Sequence, residues 1–358
     1  MRLDVSLKSR FGSISILGEV GLVRAFIAAT CALFLTVLPA LAARLDDVKA
    51  RGFVQCGVTE GVAGFSQLDA NNSWAGLEVD YCRAMAAAIF NDPGAVRFTT
   101  TTTTDRWEAL SSGKVDVLAR TSTWTMGRDT QLGITFVGTL FYDGQAFMVK
   151  KNSGATGIHD LNGATICMEQ GTTTEANAAD YFAINKLTYQ AQEFSSHDEA
   201  VKAFVDGKCT AYTTDSSALA ADRSQFTDPA DYVILPETIS KEPLAVVVAQ
   251  GDDGWFKVAR WVYFALLDAD ELGVTQKNVD EMVGSDNPEV KRLLGVGDDD
   301  FGTPIGLTKD WAYRVIKSVG NYGEMFDRNV GPNTPLGLQP GLNALWKDGG
   351  IQYAPPIR

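Results

Sequence analysis

Arg128 is the first side chain in this 358-residue sequence whose setting suggests chemistry, because it follows the polar run Thr121-Ser122-Thr123-Trp124-Thr125. A planar guanidinium donates two parallel hydrogen bonds to a carboxylate, which an ammonium cannot do. The hydroxyls and N–H groups of the run lie within reach of the same anion. A surface pair between Arg128 and Asp129, worth little energy, is the competing reading. Gly171-Thr172-Thr173-Thr174 precedes a helical pattern. Its glycine allows close approach, and free N–H groups at a helix start attract negative charge. N-capping by Thr172 is compatible with that use. Asp215 ends an apolar run and opens the helical stretch from Ser216 to Arg223. Its carboxylate could receive an ammonium, since a desolvated cation needs a charged partner; as a plain N-cap it would read identically. These groups suit the grip of a small zwitterion.

Enzyme signatures are scarce. The two histidines are His159, in an expected loop, and His197, which reads as a surface residue in a first helical turn. There is no H-E-x-x-H, and the cysteines lack C-x-x-C spacing, so no zinc site is expected. Gly295-Val-Gly297 fails the dinucleotide fingerprint. The acids Asp298 to Asp300 read as a solvated turn, since the alternation of oxygen ligands that calcium requires is missing. No cofactor is expected.

The elements that must position these groups alternate short apolar runs with helical patterns. Val54 to Val58, Val96 to Thr102 and Val115 to Ala119 read as strands, with helices over Val79 to Phe90 and Asp105 to Ser111. Asp105 and Glu108 have capping-box spacing. A second unit repeats the grammar: strands at Ala164 to Met168, Tyr189 to Phe194 and Ala211 to Thr213, a helix opened by Thr172 and Glu175, and another capped by Ser196 and Glu199 that stops at Gly207. This is α/β with a largely parallel sheet in each unit. Ligands in such sheets lie beyond the carboxyl ends of the strands, so Arg120 to Arg128 and Thr214 to Ser217 should border a cleft between two lobes. Gly144 to Lys150 and Leu244 to Ala249 are candidate connections. Helical patterns follow at Trp255 to Leu272 and Thr308 to Phe326, and the Gly- and Pro-rich stretch from Val330 should pack along the surface through Leu342, Leu345, Trp346 and Tyr353.

The N-terminus has the form of a secretory signal: Arg2, Lys8, Arg10 and Arg24, an apolar run from Ala25 to Leu38, then Ala40-Leu41-Ala42. Cleavage near Ala42 would export the chain; a retained anchor is the rival, although the run is marginal for the roughly 20 residues a helix needs to span a bilayer. Without residues 1–42 the chain keeps 27 basic against 42 acidic side chains, a net −15. Such a surface argues against nucleic acid and anionic membranes as partners. Roughly 315 residues exceed what one core usually organises, which favours two domains. Cys56, Cys82, Cys167 and Cys209 remain, and an even count in an oxidising compartment points to disulfides. Of the three pairings open to four cysteines, Cys56–Cys82 and Cys167–Cys209 are favoured because each stays within one lobe.

Gly76-Leu77-Glu78-Val79-Asp80-Tyr81-Cys82-Arg83-Ala84-Met85-Ala86 resembles the signature of the polar amino-acid-binding proteins of ABC transporters, solute-binding protein family 3, with Tyr81 where an aliphatic residue is usual. Arg120 to Asp129 (RTSTWTMGRD), Phe141 to Gln145 (FYDGQ) and the tail Asn329 to Pro335 (NVGPNTP) are similar to its general L-amino-acid-binding subfamily. The resemblance implies an α/β, type II periplasmic binding fold: two lobes joined by two crossover strands, with residues 43–147 and 248–358 in the first and 148–247 in the second. It implies that Thr123, Arg128 and Thr173 hold an α-carboxylate, and that Thr121 and Asp215 hold an α-ammonium. Val62 stands where relatives place an aromatic ring, which fits broad specificity or a preference for small, acidic and amide amino acids. The implied partners are a free L-amino acid and a cognate ABC permease of the inner membrane, served by a periplasmic monomer. Alternatives are a cyclohexadienyl-type dehydratase on the same fold, with Glu60 or Glu169 as acid or base, and a ligand-sensing subunit of a receptor.

Overall fold

The computed structural model describes residues 44–59 and 61–358, so the expected leader, residues 1–42, and Glu60 lie outside the described residues. Along the chain run β1 (Val54–Val58), a short hairpin of β2 (Gln67–Leu68) and β3 (Trp74–Ala75), β4 (Val96–Thr100), β5 (Val117–Thr123) and β6 (Ile134–Asp143). The second half adds β7 (Gln145–Lys150), β8 (Ala164–Glu169), β9 (Tyr189–Phe194), β10 (Ala211–Asp215), β11 (Tyr232–Ile234) and β12 (Glu242–Ala249). Two five-stranded sheets result, ordered β4-β1-β5-β12-β6 and β11-β7-β10-β8-β9. In each, one strand runs against the other four: the late-arriving β12 in the first sheet and the first strand, β7, in the second.

The chain changes sheet at Gly144 and again between Ile234 and Glu242. The two expected connectors are therefore sheet strands, and the changeovers fall earlier than 147/148 and 247/248. The reason is laddering: Gln145 already pairs with Asp215 on β10, and Glu242 already pairs with Asp143 on β6. At Gly144 the two crossings touch. A Cβ there would stand 2.2 Å from Thr238 Cγ2 and 2.7 Å from Ser240 O, closer than real contacts allow. β5 runs to Thr123, beyond the expected Ala119, because β12 lies antiparallel beside its polar end, with Leu244 opposite Thr123.

The larger core joins the first sheet to helices Leu77–Phe90, Asp253–Glu271 and Trp311–Val319. Tyr81 spans it, its hydroxyl donating to Ala259 O at 2.9 Å, and Trp255 Nε1 donates to Asp116 O at 2.8 Å. The single helix expected over Thr308 to Phe326 is two, broken at Gly320 (φ 79°) and restarted by a capping box of Asn321 and Glu324. The tail is fastened to the same lobe. Asn343 exchanges hydrogen bonds with both backbone groups of Tyr142, and Gln352 accepts from Tyr263 Oη at 2.6 Å.

Both favoured disulfides form. Cys56–Cys82 ties β1 to helix Leu77–Phe90, and Cys167–Cys209 lies beside β8 in the second lobe. Their sequence separations are 26 and 42. By chain entropy, each would restrict the unfolded state by about 3–4 kcal/mol. A Cys167→Ser, Cys209→Ser double variant should lose stability of that order in a denaturant titration, and an unchanged midpoint would show that the bridge carries none.

Candidate functional site

Thr121, Thr123 and Arg128 from the first lobe, with Thr173 and Asp215 from the second, line one cavity of about 60 Å³. That is far below the roughly 300–1,000 Å³ of pockets for drug-sized ligands, so it suits one small solute. It sits beyond the carboxyl ends of β1, β5, β8 and β10, where an open α/β sheet exposes loop and helix starts.

Arg128 is aimed by its own helix. Thr125 Oγ1 accepts from Arg128 N at 3.2 Å and caps helix Met126–Gln131, and Arg128 Nη1 donates to Thr123 O at 2.9 Å. The guanidinium carbon lies 5.5 Å from the Trp107 ring centroid, within cation–π range. Among the described residues no ion pair joins it to Asp129. Burial lowers its pKa, while the negative charges of Glu242 and Asp215 raise it. Thr121 adopts φ 38°, a costly conformation for a β-branched residue. Its N–H is held by the Glu78 carboxylate, whose pKa burial pushes up to about 7 against the pull of that N–H and of Arg120.

In the second lobe, helix Thr173–Ile184 begins at the cavity. Thr172 does not cap it: its hydroxyl donates to Glu169 O at 2.8 Å, and Glu175 accepts from Gly171 N instead. The first N–H groups of this helix therefore lack a side-chain cap. Asp215 also makes no cap hydrogen bond to helix Ser216–Gln225, which removes the plain N-cap reading of its carboxylate. Burial, reinforced by the charges of Asp143 and Glu242, holds its pKa well above the usual carboxylate range, with Arg128 and Arg106 pulling it down. A cation placed against it would relieve that strain. The expected cap at Asp105 likewise fails, because its carboxylate accepts from Thr102 N at 2.7 Å.

Glu242, the first residue of β12, is buried and ties the lobes together. Its Oε2 accepts from Thr123 Oγ1 (2.6 Å) and Thr173 Oγ1 (2.9 Å), and its Oε1 accepts from Asn177 Nδ2 (2.6 Å) and Ser240 Oγ (2.6 Å). A hydroxyl carries one proton, so both threonine hydroxyls turn lone pairs to the cavity, and donors to an anion must come from Arg128 and backbone N–H groups. Glu242→Gln should exchange charge-assisted hydrogen bonds for neutral ones, costing about 1–2 kcal/mol. A thermal midpoint lowered by roughly 2–8 °C is expected; an unaltered one would make the network incidental.

Sequence reasoning missed two cations of the site, Arg106 and His197, and gave Arg120, which it set at the border of the cleft, no role. Arg106 lines the cavity with Nε and Nη2 buried and without a hydrogen-bond partner among the described residues, its guanidinium carbon 4.5 Å from the Trp107 ring. Burial pulls its pKa well down, and Arg120 and Arg128 add repulsion. Arg120 is buried and donates from Nε to Thr101 O at 2.8 Å. His197 is not a surface residue: it lines the cavity, and its Nε2 lies 2.8 Å from Asp222 Oδ1. Burial works against its charge, yet Asp222 pushes its pKa up to about 9. The hydroxyl run Thr101 to Thr104 ahead of Arg106 was the available signal. Val62 lines the cavity where a ring was looked for.

Two sheets joined by two crossings, with cationic and anionic groups facing one small cleft, define a receptor for a charged solute, and the strand order is that of the type II periplasmic binding fold. The chain belongs to the bacterial extracellular solute-binding proteins, family 3, whose family model matches residues 54–294. It is 52% identical over 320 residues, 89% of this chain and 94% of the relative, to the general L-amino acid-binding periplasmic protein AapJ of Rhizobium johnstonii. It is 49% identical over 320 residues, with the same coverage of 89% and 94%, to the glutamate/glutamine/aspartate/asparagine-binding protein BztA of Rhodobacter capsulatus. A periplasmic binding protein from Brucella ovis, solved with glutathione bound, matches with a TM-score of 0.87 and 52% identity over 88% of this chain and 100% of that one.

Proposed function

We propose that this chain is the periplasmic substrate-binding component of an ABC transporter, which closes on a free L-amino acid and delivers it to a permease of the inner membrane. The observation that carries this reading is the opposition of Arg128 on one lobe to Asp215 on the other, half-buried and making no cap hydrogen bond, within a cavity sized for one small solute. Arg128 and the helix start at Thr173 take the α-carboxylate. Asp215, with the lone pairs of Thr121 and Thr123, takes the α-ammonium. Hinge closure about Gly144 and the return crossing completes the shell, as in other periplasmic binding proteins.

The two Arg106 nitrogens that lack a partner among the described residues, beside Arg120 and a charged His197, supply donors to a third group, the ligand side chain. That favours acidic and amide amino acids, the range named for BztA. Glutathione carries the same glutamyl α-amino and α-carboxylate groups and belongs in the same comparison. No specific observation favours turnover: Glu169, the candidate acid or base among the described residues, accepts from Thr103 Oγ1 at 3.2 Å as a wall of the cleft. A thermal-shift screen of the purified protein against the common amino acids and glutathione is the test. Ligand at about 100 times its Kd adds about 2.7 kcal/mol to the folded state, so glutamate, glutamine, aspartate or asparagine should raise the midpoint most. If none of the tested compounds raises it, the reading fails.

A further inference from the structure

A second cavity, of about 240 Å³, lies in the first lobe between helices Asp253–Glu271 and Pro288–Leu294 and the C-terminal tail, and shares no lining residue with the cleft. Three acids reach it, Asp268, Glu271 and Glu289. Two are already engaged: Glu271 Oε2 accepts from Trp346 Nε1 at 3.1 Å, and Glu289 Oε1 accepts from Arg358 Nη2 at 3.2 Å. Asp268 is not. It is 9% exposed, and its Oδ2 is buried with no hydrogen-bond partner among the described residues. Apart from Arg358, whose guanidinium is the one held by Glu289, the remaining wall is apolar and aromatic, with Leu293 inside and the rings of Trp346 and Tyr353 edge to face at 5.9 Å, both more than half exposed.

We propose that this cavity binds a primary ammonium carried on a short aliphatic chain, with the ammonium on Asp268 and the chain along Leu293 and the two rings. A buried acid without a partner calls for a positive charge, and aromatic faces attract one. The cation is organic because the acids do not converge: among the described residues no group of three or more His, Cys, Asp or Glu side chains could hold a metal ion. Burial, with Glu271 and Glu289 nearby, pushes the Asp268 pKa up to about 7, the direction that a bound ammonium would reverse.

The probe is n-butylammonium chloride, titrated into the full protein at about pH 8 and followed by calorimetry and by the Trp346 indole N–H resonance, with sodium chloride as the ionic-strength reference. Saturable binding is expected in the millimolar range. Asp268→Asn should weaken it at least tenfold while leaving amino-acid binding in the cleft unchanged. Trp346→Ala, at an exposed position that should not disturb folding, should weaken it several-fold, and Arg128→Ala should bind the probe as the wild type does. The proposal is overturned if the wild type shows no saturation, if Asp268→Asn binds as tightly, or if Arg128→Ala abolishes binding, which would place the probe in the cleft.

Discussion

Arg128→Ala is expected to weaken amino-acid binding by roughly two orders of magnitude, measured by calorimetry. In the proposed complex the guanidinium donates to an α-carboxylate that has left water. Truncating one partner of a buried, hydrogen-bonded charge pair costs about 2–5 kcal/mol, and each 1.4 kcal/mol is about tenfold in Kd. The loss has a second source here. Arg128 is the cation that faces Asp215 and Glu242, so its removal raises the negative potential where the carboxylate must sit. The stability of the ligand-free protein should change little, because among the described residues the side chain's hydrogen bond within the chain is the one to Thr123 O. An unchanged affinity would remove Arg128 from the site.

Arg106→Gln should act differently, on selectivity. It lines the cavity from the start of helix Arg106–Ser111, and two of its nitrogens have no hydrogen-bond partner among the described residues. Glutamate affinity should fall by about 2–3 kcal/mol, the worth of hydrogen bonds to a charged group, or roughly 30- to 150-fold. Alanine, which has no distal group to lose, should bind within a few-fold of its wild-type affinity, or better, since relief of the repulsion among Arg106, Arg120 and Arg128 offsets part of the change. Equal losses for glutamate and alanine would mean that Arg106 supports the common amino-acid frame rather than the side chain.

The alternation of strands and helices was legible because parallel strands buried on both faces read as apolar runs between helical patterns, and β1 and β8 begin where the sequence places them. The disulfide pairing followed from keeping each bridge within one lobe. The sheet changeovers were misplaced because nothing in GQAFMVK or LAVVVA marks which sheet takes the strand, and only the ladders with β10 and β6 show where each begins. Arg128 stood out by its hydroxyl neighbours. Arg106 did not, since a basic residue at a helix start reads as solvated and the cavity that it lines is closed by residues distant in sequence. The role of Asp215 was ambiguous for a related reason: cap and ligand contact use the same residue type, and only side-chain geometry separates them. His197 was misread because Asp222, its partner, lies on another helix.

Neither covalent bridge crosses the cleft: one is confined to each lobe, and the passage between lobes rests on Gly144, its neighbouring crossing and the hydrogen bonds of Glu242. Durability and mobility are thereby assigned to separate parts of the molecule. Oxidation restricts what the unfolded chain can explore and shields each lobe from proteases, yet it places no restraint on the swing that admits and releases solute. Substitution at the crossings therefore acts on opening while leaving both covalent bridges in place.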